Sequence, residues 1–339
     1  MDKIESLILR ITERCNLKCA YCYAAGQPKP DMTPEMAVKA VELCCQPGEV
    51  LRVQFTGGEP LLNFPVMDAV YQYGKSTGRK LILAVQTNGT LLTPELCRWL
   101  KKTGCAVGVS LDGAGAGNGL RVFPDGSESF SHITQGIRCL GQEGLRCNVT
   151  TVISSANSGT LPQILDLSLV LGNIAGIGLD LFRPIGRGAE QDFSPEPEAL
   201  EQGLKSLVSH YRELKQVGIP IHLRELDKLS QRRKHPMPEP VYCYAQTEKS
   251  LAVDGLGDCW PCSSLTGAEG CRLGNIRDGL PAKERSGLDL MPPAQCISCE
   301  SFSVCKGGCP AMRSGRNHEP DSLTCQMHHI LNREWEENR

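Results

Sequence analysis

Through the first two thirds of the chain, short β-branched apolar runs alternate with longer stretches whose apolar residues recur every three to four positions. The short runs at residues 4–12, 50–56, 80–87, 105–111, 145–153 and 177–182 predict strands. The longer stretches at 63–76, 130–142, 161–171 and 195–217 predict helices. Two more helices start at Thr33-Pro34-Glu35 and Thr93-Pro94-Glu95, each with a threonine cap and a proline in the first turn. Six βα units in about 215 residues imply a parallel sheet covered by helices. Periodicity alone leaves two α/β architectures open, part of an eight-stranded barrel and an open doubly wound sheet. Both bind ligands at the carboxyl ends of their strands.

The pattern changes after Arg224. A basic run, Arg232-Arg233-Lys234-His235, precedes Pro236, Pro238 and Pro240, which predicts a surface linker. Two units follow from it, residues 1–235 and 236–339. In the second, regular patterning is weak, although residues 251–254 and 258–261 predict a small hairpin around Gly255 and Gly257. So loop-rich a unit needs folding energy from something besides a core, and bound metal can supply it.

Composition narrows the function. A net charge of −2 and 5% aromatic residues argue against a nucleic-acid surface or a stacking platform. No run approaches 18 apolar residues, and the chain reaches Cys15 without the apolar stretch of a secretory signal, so a cytoplasmic location is expected. There thiols stay reduced, and the 18 cysteines are not a disulfide framework. Six of them, Cys44, Cys45, Cys97, Cys105, Cys139 and Cys147, lie in apolar helix or strand patterns and read as small buried hydrophobes. The rest gather at the two ends of the chain.

Cys15-x3-Cys19-x2-Cys22 follows the first predicted strand. Three thiolates on one tight loop suit an iron–sulfur cluster with one iron left open, whereas structural zinc asks for four ligands. At these residues the chain resembles the radical S-adenosylmethionine (SAM) enzymes, whose CxxxCxΦC signature here has Tyr21 at Φ. Three strand ends match the family in order: Gly57-Gly58-Glu59-Pro60, Thr87-Asn88-Gly89 and Ser110-Leu111-Asp112-Gly113. The resemblance covers residues 4–215 and implies a partial (β/α)6 TIM-type barrel. It also implies a 4Fe–4S cluster on Cys15, Cys19 and Cys22, with SAM on its open iron. Tyr21 would lie near the adenine, and Gly57, Gly58 and Glu59 at the methionine end. Gln86 and Ser110 would be polar contacts, and Arg121 would meet the SAM carboxylate, although the Gly-rich stretch before it departs from the family pattern.

The C-terminal cysteines, Cys243, Cys262, Cys296, Cys299, Cys305, Cys309 and Cys325, resemble the seven-cysteine SPASM pattern. That resemblance implies two auxiliary 4Fe–4S clusters, three in all. Cys296, Cys299, Cys305 and Cys325 would hold one; Cys243, Cys262 and Cys309 the other. Cys259 and Cys271 compete for its fourth position, or that position is open. A pair of zinc sites is the alternative. His328 and His329 offer themselves as ligands but read more readily as helix surface; Asp180 and Arg183 lie at a strand end facing the site, where a structural salt bridge or loop contact is the favoured reading.

SPASM enzymes mostly modify peptides or proteins. The leading expectation is therefore hydrogen abstraction from a peptide side chain and an oxidative thioether or carbon–carbon crosslink. A low-potential donor of flavodoxin or ferredoxin type would supply electrons. Only 14 residues precede Cys15, so a separate protein is expected to recognise a leader peptide. Formylglycine formation in sulfatases is an alternative; there the family places an aspartate directly after the cysteine matching Cys262, and this chain has Ser263. Oxidation of a small alcohol or sugar is another. A non-catalytic iron–sulfur electron carrier is the alternative outside enzymes.

Overall fold

The computed structural model describes residues 3–24, 30–235, 241–281, 291–313 and 319–336. Strands β1 (Ser6–Thr12), β2 (Val50–Gly57), β3 (Lys80–Thr87), β4 (Ala106–Ser110), β5 (Cys147–Ile153) and β6 (Ile174–Leu181) are the six expected strands. They lie side by side in that order, all parallel. Between them run α1 (Pro34–Cys44), α2 (Phe64–Thr77), α3 (Pro94–Thr103), α4 (Phe130–Gln142) and α5 (Gln163–Leu171), and α6 (Pro197–Gln216) follows β6. Thr33 and Thr93 cap α1 and α3 as expected, accepting from the Met36 and Leu96 amides at 3.3 Å. The partial-barrel reading holds and the open doubly wound alternative falls away.

Alternation along the strands sorts the two faces. Leu7, Leu9 and Ile11 of β1 and Leu51, Val53 and Phe55 of β2 are fully buried under the helices. Of the positions between them, Arg10, Arg52 and Gln54 are polar, while Ile8 packs against a small cluster with Trp260 and Leu265.

Three features depart from the sequence reading. A short strand β7 (His222–Leu223) extends the sheet beside β6. The segment read as a surface linker is instead a helix, α7 (Arg224–Lys234), which buries Glu225, Leu226 and Leu229. With only two leucines in eleven residues, its apolar period was too thin to outweigh the basic run. The prolines at 236, 238 and 240 lie outside the described residues. The expected hairpin forms, as antiparallel β8 (Ser250–Val253) and β9 (Asp258–Trp260), but β8 also pairs parallel with β1. One sheet thus runs from β10 (Gly274–Asn275) through β9, β8 and β1 to β7. Lateral pairing of strands some 240 residues apart is a tertiary fact, invisible to local pattern.

The remainder holds three one-turn helices, α8 (Ala294–Ile297), α9 (Phe302–Cys305) and α10 (Pro310–Arg313), and then α11 (Ser322–Glu336). Helix α11 packs on α6, with Gln326 donating to the Pro197 carbonyl at 2.8 Å and Arg333 meeting Glu201 at 3.2 Å. No helix among the described residues is long and apolar enough to cross a membrane.

Candidate active site

Cys15, Cys19 and Cys22 sit on the loop after β1, at the carboxyl end of the barrel. Three neighbours hold that loop. Residues 120–122 accept from its amides, Lys18 to Val122 at 2.7 Å and Ala20 to Leu120 at 2.9 Å. Asn88, after β3, donates to Asn16 Oδ1 at 2.9 Å and to Cys15 Sγ at 3.8 Å. A 3₁₀ turn after β6, Gly186–Ala189, closes the other side. Arg187 donates from Nε to the Cys19 carbonyl at 3.0 Å and from its amide to the Cys22 carbonyl at 3.1 Å. Sequence reasoning missed Arg187, whose only signal was a Gly-Arg-Gly turn past a strand end.

Burial pushes the Cys15 thiol up, and the Cys19 thiol up to about 11, with Arg121 pulling the other way. Both sense Cys22, so the three thiols form one electrostatic group. Thiols that resist ionisation alone ionise against a metal, which supplies the missing positive charge.

The glycines of the GGEP stretch serve close approach, here to the chain itself. A Cβ on Gly57 would stand 2.0 Å from the Thr12 carbonyl oxygen, and one on Gly58 2.2 Å from that of Arg14. Glu59 is fully buried. Its carboxylate accepts from Thr87 Oγ1 at 2.7 Å, the Asn88 amide at 2.7 Å and the Leu61 amide at 3.1 Å. Burial still raises it to about 7. Glu59 thus ties the end of β2 to the end of β3. Gln86 and Ser110 meet across adjacent strands at 3.1 Å. Tyr21 is buried against Phe182 and Phe193, and its hydroxyl donates to Asp112. Arg121 is buried in a two-point pair with the same Asp112.

Farther along, Cys243 opens a turn before β8, and Cys262 follows β9. Cys262, pushed up to about 11 by burial, senses Cys309 and Cys243, so these three also form a group. Of the two candidates for its fourth position, Cys259 faces the main core, where Cys44 senses its charge. Cys271 belongs instead to a small cluster with Trp260 and Leu265, against which Cys262 and Cys309 pack. Ser263 Oγ accepts from Arg10, itself paired with Glu13.

The third group surrounds a small pocket lined by Cys296, Cys299, Cys305 and Cys325. His328 and His329 line it too: His328 is turned inward rather than lying on the helix surface, while His329 stays 42% exposed as expected. His329 Nε2 lies 3.7 Å from Cys299 Sγ and its Nδ1 3.1 Å from Ser301 Oγ. Burial, with Arg232 and Lys228 nearby, lowers His328 to about 4, so it is neutral. Among the described residues no three such side chains converge as they would on a single ion. A cubane is wider than an ion and binds each thiolate at a different iron, so three grouped but spread thiol sets fit clusters.

Arg183 is near both of the first two thiol groups. Its Cζ is 5.7 Å from the ring of Tyr23, next to Cys22, and it senses Cys309 and Cys262. Its Nη1 is buried without a hydrogen-bond partner among the described residues. Asp180 pairs with Arg224 at 2.8 Å. The six scattered cysteines are all buried, as read from sequence.

The family model described as the radical SAM superfamily matches residues 9–167. An uncharacterized protein of Methanocaldococcus jannaschii is 30% identical over 82% of this chain and 91% of its own length. An AdoMet-dependent heme synthase of Methanosarcina barkeri is 28% identical over 88% of each chain. Among solved structures, native anSMEcpe with bound AdoMet (SAM) and the Kp18Cys peptide superimposes with a TM-score of 0.82, at 21% identity, over 97% of this chain and 96% of that one. The chain belongs to the radical SAM superfamily: it is a SAM-using radical enzyme whose partial barrel is followed by an auxiliary domain of the SPASM type.

Proposed function

We propose that this enzyme oxidatively modifies a peptide or protein side chain, forming a thioether or carbon–carbon crosslink, and that it carries three 4Fe–4S clusters. The observation that carries the reading is Arg183, just past the end of β6, whose guanidinium lies 5.7 Å from the ring of Tyr23, next to Cys22, and within electrostatic reach of Cys262 and Cys309. A substrate held beside Arg183 would be near both thiol groups, one of which would hold the radical source and the other an electron acceptor. The likeness to a peptide-bound fold relative supports the substrate class.

Cys15, Cys19 and Cys22 would hold the SAM-binding cluster. Cys243, Cys262, Cys309 and Cys271 would hold the first auxiliary cluster, and Cys296, Cys299, Cys305 and Cys325 the second. When bound, these groups supply the electron that cleaves SAM to methionine and a 5′-deoxyadenosyl radical, and take up the electron that the substrate radical loses as its new bond forms. Around them Arg187 and Asn88 fix the loop, Tyr21 and Arg121 wall its inner side, and Glu59 joins the strand ends beneath. Ser263, bound to Arg10, is no base, which favours a crosslink over formylglycine formation. Electrons would come from a flavodoxin- or ferredoxin-type donor, and a separate protein would present the leader peptide.

The test is anaerobic turnover of the reconstituted protein with SAM, dithionite and the peptides encoded beside its gene. The expected result is 5′-deoxyadenosine in step with a peptide mass loss of two hydrogens, from about 12 iron atoms per chain. Uncoupled SAM cleavage alone, with every such peptide unchanged, overturns the reading. The likeness to the heme synthase supports a second reading, a tetrapyrrole substrate, and the same assay with iron porphyrins decides it.

A further inference from the structure

A closed barrel of this kind fills its centre with bulky branched side chains. Here the lumen-facing positions include Gln54, Gln86, Asn148 and Thr150, with Gly108, Gly176 and Gly178 among them, and they leave a cavity of about 510 Å³. The glycines make room for polar groups. A Cβ on Gly108 would stand 2.2 Å from Gln86 Oε1, one on Gly176 3.0 Å from Asn148 Oδ1, and one on Gly178 2.6 Å from the Arg224 guanidinium. The cavity therefore presents polar side chains among apolar walls, the usual lining of a site that takes a polar ligand.

Helix α7 completes it. Arg224, Asp227, Lys228 and Gln231 fall at i, i+3, i+4 and i+7, one face of the helix, and all four line the lumen. The charges there are largely spent on each other. Arg224 pairs with Asp180 at 2.8 Å and Glu225 at 2.6 Å, and Asp227 with His222 at 3.2 Å. Lys228 is different: no hydrogen bond or ion pair joins its Nζ to any described residue. The side-chain amides of Asn148, Gln54 and Gln231 are likewise unpartnered among the described residues. Desolvation and the nearby Arg224 and Arg232 lower the Lys228 ammonium from its ordinary range, and the acidic groups that face it, Glu225 and Asp180, are both already paired with Arg224.

We infer that this floor of the lumen, at Lys228 with Asn148 and Gln231, is a subsite for a carboxylate on the substrate. The inference rests on the peptide reading above and sharpens it: an acidic side chain of the peptide reaches down the lumen while the reacting residue stays at the carboxyl end. Lys228 supplies charge and the amides supply donors to the carboxylate oxygens.

The test is calorimetric titration of the reconstituted, SAM-loaded enzyme with N-acetyl-glutamate amide and with N-acetyl-glutamine amide. The glutamate probe is expected to bind once per chain, at least tenfold tighter than its neutral counterpart. Lys228→Met should abolish that preference and Lys228→Arg should keep it, with iron content and far-UV circular dichroism confirming that both fold. Equal binding of the two probes, or a preference that survives in Lys228→Met, overturns the subsite. Because this readout needs no turnover, a carboxylate preference without any peptide product fails the peptide reading alone. Peptide turnover without the preference fails the subsite alone.

Discussion

Arg121 grips Asp112 at two points, Nε to Oδ2 at 2.9 Å and Nη2 to Oδ1 at 3.0 Å, with both side chains buried. The carboxylate also accepts from the Val152 amide at 2.9 Å and from the Tyr21 hydroxyl. One aspartate therefore joins β5, the wall at 121 and the cysteine loop. Breaking a buried pair from one side strands the other charge, at a cost of about 3–5 kcal/mol. Asp112→Asn should lose stability of that order in anaerobic denaturant melts. Asp112→Asn with Arg121→Gln should recover part of the loss, the coupling that a double-mutant cycle reads.

That aspartate shows where sequence reasoning stops. Ser110-Leu111-Asp112-Gly113 was recognisable as a strand-end motif, but nothing in its spacing says that Asp112 would face Arg121 and Tyr21 at once. The barrel was legible because two apolar periods mark each unit separately, with threonine–proline caps at α1 and α3 as well. Helix α7 was not, since Leu226 and Leu229 alone carry its apolar period. The lumen chamber depends on which lateral neighbour each glycine faces, and that is a property of register.

Glu59 makes stability depend on pH. Its carboxyl rises from 4.5 to about 7 on folding, so between those values the folded state binds more protons than the unfolded one. Stability contributed at this position is then present below about pH 4.5 and falls as pH rises toward 7, by on the order of 3 kcal/mol. Glu59→Gln should flatten the slope in that window relative to the parent. It should also cost stability throughout, because an amide nitrogen replaces one of the acceptors facing Thr87, Asn88 and Leu61. Urea melts from pH 4.5 to 8 measure both effects, and a parent-like slope in the variant would contradict the assignment.

Gly186 is the contact between the β6 turn and the cluster loop. It has φ +59°, and a Cβ there would stand 2.4 Å from the Cys22 carbonyl oxygen and 2.8 Å from that of Tyr23. Gly186→Ala should push the turn off the loop and weaken the Arg187 contacts. Gly172, with φ +74° and nothing within 4 Å of its Cβ position, is the control, where alanine costs only the left-handed backbone, about 1 kcal/mol. Gly186→Ala should slow SAM cleavage and alter the SAM-induced change in the reduced cluster's EPR signal. Gly172→Ala should do neither.

Cys271 and Cys259 separate the two candidate ligands of the first auxiliary cluster by opposite consequences. Cys271 shares a cluster with the residues that pack Cys262 and Cys309, whereas Cys259 is fully buried in the main core with its thiol 3.8 Å from the Gly257 carbonyl. Cys271→Ala should lower the iron content and change the Mössbauer signature of one cluster, leaving the rest of the protein folded. Cys259→Ala removes only a core sulfur. It should keep the full iron complement and lose about 1–2 kcal/mol of stability through the small cavity left behind. Iron loss in Cys259→Ala with full retention in Cys271→Ala would reverse the assignment, and equal retention in both would mean that no cysteine fills the fourth position.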